Sequence, residues 1–349
     1  MHRRCVTGLA LLLGASGLAL LAGCGPADEV RLSPTEKRDL QRRSLDLLLR
    51  ATESEYDDVS ANALEALTDV APQPGLVAFR RALQAPHPVI RFAGLVSLGR
   101  LRDRESLRQI EALARDPDAR VRVAAAYAAL RCGAAVATYG PILAEALSDN
   151  PDEAVRAEAA YRIGQLGEPR AMQRLRMATE RERSSRVAAQ AWGALAMLGD
   201  TRAVDRLIAY TQGDRVARTI ALQTLVELKN PHAADALRDR LSPREEFVLL
   251  RLMAARALGR LGFDDGYALA ATLADPKTPI EIADPQARLA EQLSIRTNAA
   301  LALGAIGEQR ALGVLQRLAH EGEMPVQVAA CDAILQILAR DAALGPFSP

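Results

Sequence analysis

Aromatic residues are scarce, at 3% of the 349-residue chain, and so is lysine, which occurs only at Lys37, Lys229 and Lys277. Strand-like alternation of apolar and polar residues is missing throughout, which argues against a sheet protein. Nearly all the positive charge is therefore guanidinium, the group suited to fixed, bidentate pairs with carboxylates. Signatures of chemistry are missing too. Past residue 23 there is no H-E-x-x-H, C-x-x-C, G-x-S-x-G, Walker loop or G-x-G-x-x-G, so no catalytic residue, metal ligand or cofactor is assigned. His87 and His232 flank prolines, His320 ends a helical stretch, and no two have metal-ligand spacing. The acidic run Phe263-Asp264-Asp265-Gly266 lacks the further ligands of a calcium loop and reads as an inter-helix turn. One sign of charge does not dominate either. Past residue 23, 42 basic residues face 43 acidic ones, so no global field seeks nucleic acid and no nucleic-acid partner is expected.

What is present begins with His2, Arg3 and Arg4, an apolar run from Val6 to Leu20, and then Leu21-Ala22-Gly23-Cys24. A charged start, an apolar stretch and small residues before a cysteine read as a secretory signal over residues 1–23. The last four residues resemble the lipobox of bacterial lipoproteins. That resemblance implies cleavage before Cys24 and acylation of its sulfur, with residues 24–32 as a short linker. The expected location is the bacterial cell envelope, with the chain lipid-anchored to a membrane and facing the periplasm.

The body of the chain repeats itself. Aligned on a recurrent arginine, nine registers fall at Ser60, Arg91, Arg122, Arg156, Ala188, Arg218, Arg251, Arg296 and Gln327, spaced 30–34 residues apart except for one step of 45. We number positions as offsets from these residues. Offset −1 is apolar in all nine, and offset 3 reads Ala63, Gly94, Ala125, Ala159, Ala191, Ala221, Ala254, Ala299 and Ala330. Offsets 7 and 10 are apolar again, so −1, 3, 7 and 10 form one buried stripe on a 3.6-residue helix. Gly133, Gly167, Gly199, Gly262 and Gly307 at offset 11 are predicted C-caps. A second amphipathic helix follows each first one, as at 104–114. Ser33-Pro34-Thr35-Glu36 announces the first helix as a capping box with proline at its first turn.

Two helices per period, with the D-P-D, V-R and A-L-G-x-L-G phrases, resemble HEAT repeats of the short phycobilisome-lyase type. The resemblance implies an all-α fold, a right-handed α-solenoid of about nine helix pairs over residues 33–340, with a tail at 341–349. It also implies that the register arginines pair with acids across repeat junctions; Asp116, Glu245 and Glu321 each stand six residues before a register. Of the cysteines, Cys132 and Cys331 remain after Cys5 leaves and Cys24 is acylated. Six repeats apart, or roughly 50 Å along a straight stack, they read as small buried hydrophobes rather than a disulfide.

Function is read as a non-catalytic, membrane-tethered scaffold that binds a protein partner, against the alternative of an envelope enzyme or an accessory subunit of a lyase-like complex. Offsets 2, 5 and 9 point away from the buried stripe, toward the surface that is concave in HEAT families. They place Arg100, Tyr127, Arg131, Glu158, Tyr161 and Gln165 in adjacent rows, with Arg256 and Arg260 further along. Tyrosine and arginine are enriched at interface hot spots. The long step holds about a dozen extra residues, Asp275 to Gln286, which Pro276, Pro279 and Pro285 keep out of helix. It is a second candidate binding element or a tolerated surface loop.

Overall fold

A computed structural model describes residues 32–242, 247–282, 286–342 and 344, and everything said of the structure concerns these. The signal segment, Cys24, Glu245 and most of the C-terminal tail lie outside them. The described chain is all-helical, with eighteen α-helices and no strand. The register helices are α2 (Asp57–Val70), α4 (Pro88–Leu101), α6 (Ala119–Arg131), α8 (Glu153–Leu166), α10 (Ser185–Met197), α12 (Arg215–Leu228), α14 (Val248–Arg260), α16 (Arg288–Ile306) and α18 (Met324–Leu338). Their partners are α1 (Pro34–Ala51), α3 (Pro72–Ala82), α5 (Leu107–Ala112), α7 (Val136–Asp149), α9 (Met172–Arg181), α11 (Thr201–Tyr210), α13 (Ala234–Asp239), α15 (Tyr267–Ala274) and α17 (Leu312–Glu321).

Local signals set these boundaries. Ser33 Oγ accepts from the Glu36 amide while the Ser33 amide donates to Glu36 Oε2 at 2.7 Å, the expected capping box. Asp118 and Asp214 each cap two amides at the starts of α6 and α12, contacts worth about 1 kcal/mol each. At the other end, all five predicted C-cap glycines have positive φ, from 74° to 99°. Arg102 and Lys229 stand at the same offset and adopt the same left-handed conformation, φ 56° and 47°, without being glycine.

The offset-3 residues are buried in all nine repeats. A Cβ on Gly94 would stand 2.7 Å from Ala82 Cβ, which shows that this column seats the outer helix. A second small column sets the spacing between successive register helices. At offset 8, a Cβ on Gly99, Gly164, Gly259 or Gly304 would lie 2.6–2.9 Å from the backbone of the following register helix.

Each register helix packs on the next, from α2 through to α16 and α18, and α18 then packs on α2 and α1. The solenoid thus closes into a ring, with the register helices inside and their partners outside. Val328, Cys331 and Leu335 of α18 share the core of the first repeats, and Leu40 of α1 shares that of the last. Cys132 and Cys331 are both free and buried; burial pushes their thiols up to about 11 and about 12. The straight-stack spacing is corrected by closure, since the third and ninth repeats are three steps apart by the shorter way round.

The arginine ladder is structural where acids complete it. Arg91 donates back to the carbonyls of Ala85 and Pro86 and forward to both Asp116 oxygens at 2.8 and 2.9 Å. Arg156 repeats this with Asn150, Pro151 and Glu182. Glu182, six residues before the alanine register, belongs to the ladder although the sequence reading passed over it. Burial works to raise the Asp116 carboxyl, but Arg91, the Asp118 amide and Arg122 hold it below the usual carboxylate range. Glu321 is not the forward partner of Arg296, because the long step puts other acceptors in reach: Arg296 donates to the carbonyls of Leu273, Asp275, Pro276 and Thr278. With Gln292 donating to the Ile280 carbonyl, the insertion is tied to α16. α16 itself starts eight residues before its register, where α6 starts three before, so part of the extra length became helix.

Candidate functional site

Offsets 2, 5 and 9 face the interior of the ring, and side chains from opposite sides meet there. The organising residue is Arg162 on α8, only 6% exposed. Its guanidinium carbon stands 5.4 Å from the Phe92 ring centre, 5.3 Å from Tyr127 and 4.8 Å from Tyr161, a three-sided aromatic enclosure from α4, α6 and α8. Arg162 Nε donates to Glu158 Oε1 and Nη1 to Gln165 Oε1, both at 2.6 Å. Burial opposes its charge, but Glu158 and the two tyrosines raise it above the ordinary arginine value. Cation–π contacts contribute about 0.5–2 kcal/mol each when desolvated, so a buried arginine with three rings and a carboxylate is held firmly.

Tyr161 reaches the other way. Its hydroxyl donates to Glu227 on α12, across the position of α10, where the interior offsets 5 and 9 carry only Gly193 and Met197. Burial, assisted by the Glu227 charge, pushes the Tyr161 phenol far up. Burial also raises Glu227, against the Tyr161 hydrogen bond and the charges of Arg162 and Arg100. Arg100 pairs with Asp69 of α2. Groups on α2, α4, α8 and α12 therefore share one electrostatic environment.

The sequence-predicted residues divide accordingly. Arg100, Tyr127, Glu158, Tyr161 and Gln165 gather around Arg162. Arg131 donates to the Gly99 carbonyl at 3.4 Å. The Arg256 charge acts on Asp332 of α18, and the Arg260 charge on Arg340. One correction concerns exposure: Tyr127 is not a surface ring but is 2% exposed, because it packs against the Gly99 backbone and under Arg162. Two central residues escaped the sequence reading, Phe92 at offset 1 and Arg162 at offset 6. For Arg162 there was a signal, since offset 6 otherwise holds only Ala, Ser or Thr, from Ala66 to Ala333.

Ile280, Glu281 and Ile282 of the insertion, with Arg288 and Gln292, line an open cavity of about 630 Å³. Asp264 and Asp265 pair with Arg310 and Arg238, consistent with a structural turn. Among the described residues no group of three His, Cys, Asp or Glu could hold a metal ion, and no helix is long and apolar enough to cross a membrane.

Known repeat families match the chain. HEAT repeats match residues 45–131 and 140–226, and a PBS lyase HEAT-like repeat matches residues 295–320. Among solved structures, the complex of CpcE and CpcF of phycocyanin lyase from Nostoc sp. is 18% identical, covering 73% of this chain and 97% of its own, with a TM-score of 0.42. Human deoxyhypusine hydroxylase in complex with glycerol is 18% identical over 88% of this chain and 100% of its own, with a TM-score of 0.36. Kap121p is 12% identical over 85% of this chain and 37% of its own, with a TM-score of 0.35. Among curated proteins none matches the chain.

Proposed function

The chain belongs to the HEAT-repeat proteins, and from that premise we propose that it is a non-catalytic scaffold of the bacterial cell envelope, lipid-anchored through Cys24, which binds a protein partner through the interior and rims of its ring. The observation that carries this reading is the contrast between columns. Offsets −1, 3 and 7 hold apolar or small residues that build the ring, whereas offsets 5 and 9 change from acid to tyrosine to arginine around it. A surface so differentiated on a uniform frame is what recognition of one partner needs.

Support for the anchor is the Leu21-Ala22-Gly23-Cys24 segment behind its apolar run. Cys24→Ala should leave the precursor uncleaved and unlabelled by fatty acid; normal labelling of that variant would remove the anchor from the account. For recognition, affinity capture from membrane fractions should return one stoichiometric partner, lost in Tyr161→Ala with Arg100→Ala while helicity is kept. Unchanged capture by that double variant would move recognition to the insertion at 275–286. The second reading, an accessory subunit of a lyase-like enzyme, is favoured by the repeat matched at residues 295–320; turnover appearing only when the captured partner is added would support it.

A further inference from the structure

The interior arginines are not equally matched. Arg100 is paired with Asp69 and Arg162 with Glu158. Arg256 and Arg260, one turn apart at offsets 5 and 9 of α14, take part in no hydrogen bond or ion pair among the described residues, and Arg260 Nε is buried without a partner. Their neighbours supply none. At the same offsets α16 carries Leu301 and Ala305, while α12 carries Gln223 and Glu227, and Glu227 is bound to the Tyr161 hydroxyl. One helix further on, Asp332 of α18 feels the Arg256 charge, and its Oδ1 already accepts from Gln336 at 2.9 Å. Beside Arg260 stands a third guanidinium, that of Arg340, fixed by the Ala305 and Ile306 carbonyls at 2.8 and 2.9 Å. Burial and the Arg260 charge both lower the proton affinity of Arg340.

Adjacent guanidinium groups with no carboxylate between them, one of them with a buried and unused N–H, are an arrangement completed by an oxyanion, which accepts from the fork of an arginine through two oxygens. Resting on the reading of the ring interior as the recognition surface, we infer that Arg256 and Arg260, with Arg340 beside them, form an oxyanion site that takes a carboxylate or phosphate group of a ligand entering the ring. Arg100 and Arg162 are each matched by a carboxylate, so the α14 sector, with two arginines and no ion pair among the described residues, is where an anionic ligand gains most.

The test is thermal unfolding of the full-length protein in detergent at low ionic strength, titrated with inorganic phosphate or with a hexaglutamate peptide, each against sodium chloride of equal ionic strength. The melting temperature should rise with at least one probe beyond the chloride control. Arg256→Gln and Arg260→Gln should weaken that response tenfold or more, whereas Arg215→Gln, at an exposed arginine that begins α12 away from the interior offsets, should leave it unchanged. Arg260→Lys keeps the charge but not the fork and should respond more weakly than the parent. A response to phosphate alone identifies a small free anion as the source, and a response to the peptide alone identifies an acidic segment of a protein. No response to either probe, or an undiminished one in Arg260→Gln, overturns the site. Failure of partner capture with anion binding intact would sink the scaffold reading and leave this site standing.

Discussion

Lys37, at the start of the first helix, and Asp341, just past the last, form an ion pair at 2.7 Å across 304 residues of sequence, and Lys37 Nζ also donates to Gln309 Oε1 at 2.8 Å. The pair marks the seam at which α18 lies against α1 and α2. Beneath it the apolar residues of both ends merge, so the seam is sealed mainly by burial and the ion pair sets its register. An open solenoid offers its concave face along a groove. In this ring the same face is enclosed and is reached from the two rims.

Arg102 and Lys229 occupy the left-handed cap position that glycine fills in five other repeats. A side chain there costs about 1 kcal/mol relative to glycine. Arg102→Gly and Lys229→Gly should each raise stability by about 0.5–1 kcal/mol in urea unfolding. A loss of stability in both would show that their side chains hold the cap by other contacts.

Gly164→Ala offers a case in which two effects compete. Alanine is the better helix former by about 1 kcal/mol, but its Cβ would stand 2.6 Å from Ala194 Cα on the neighbouring helix. Overpacking of this kind costs about 1–3 kcal/mol, and backbone cannot step aside as a side-chain tip does. The expected outcome is net destabilisation, read as a lower urea midpoint.

Asp332 on α18 is 6% exposed, and its carboxyl is pushed up to about 7, first by burial and then by Asp69 and Glu65 of α2, against the Gln336 amide and the charge of Arg256. The folded state therefore binds this proton more tightly than the unfolded chain, whose aspartate titrates near 4. Its contribution is fully present below about pH 4 and is lost as pH rises through about 7. Asp332→Asn should flatten the stability profile between those limits and make the protein more stable than the parent at pH 8. An equal pH slope in both proteins would contradict the assignment.

Much of this architecture was legible in the sequence because it is periodic. The offset-3 alanines, the C-cap glycines and the capping box at Ser33 are local signals, and each determines the conformation of its own turn. The offset-8 glycines were visible as well, but their partners sit on another helix, which no single repeat specifies. Closure was illegible for the same reason: it depends on the small rotation between repeats summed over nine of them, and no residue encodes the sum. At the site, the variable offsets pointed to Arg100, Tyr161 and Glu158. By offset alone these residues describe a surface, and only the folded chain brings Arg162 and Phe92 together to turn part of it into an enclosed cluster.

Ring closure is the claim on which the rest depends, and Ser44 of α1 with Cys331 of α18 tests it most directly. The Ser44 side chain lies close enough to the Cys331 thiol to lower its proton affinity against burial, and both are buried, at 2% and 1% exposure. A disulfide forms only where Cα atoms approach within about 7 Å. Mild oxidation of the Ser44→Cys variant should therefore give an intramolecular cross-link between positions 44 and 331, identified by mass spectrometry of the joined peptides and reversed by reductant. Recovery of both thiols free after oxidation of the folded variant would mean that the first and last helices do not meet and that the solenoid is open.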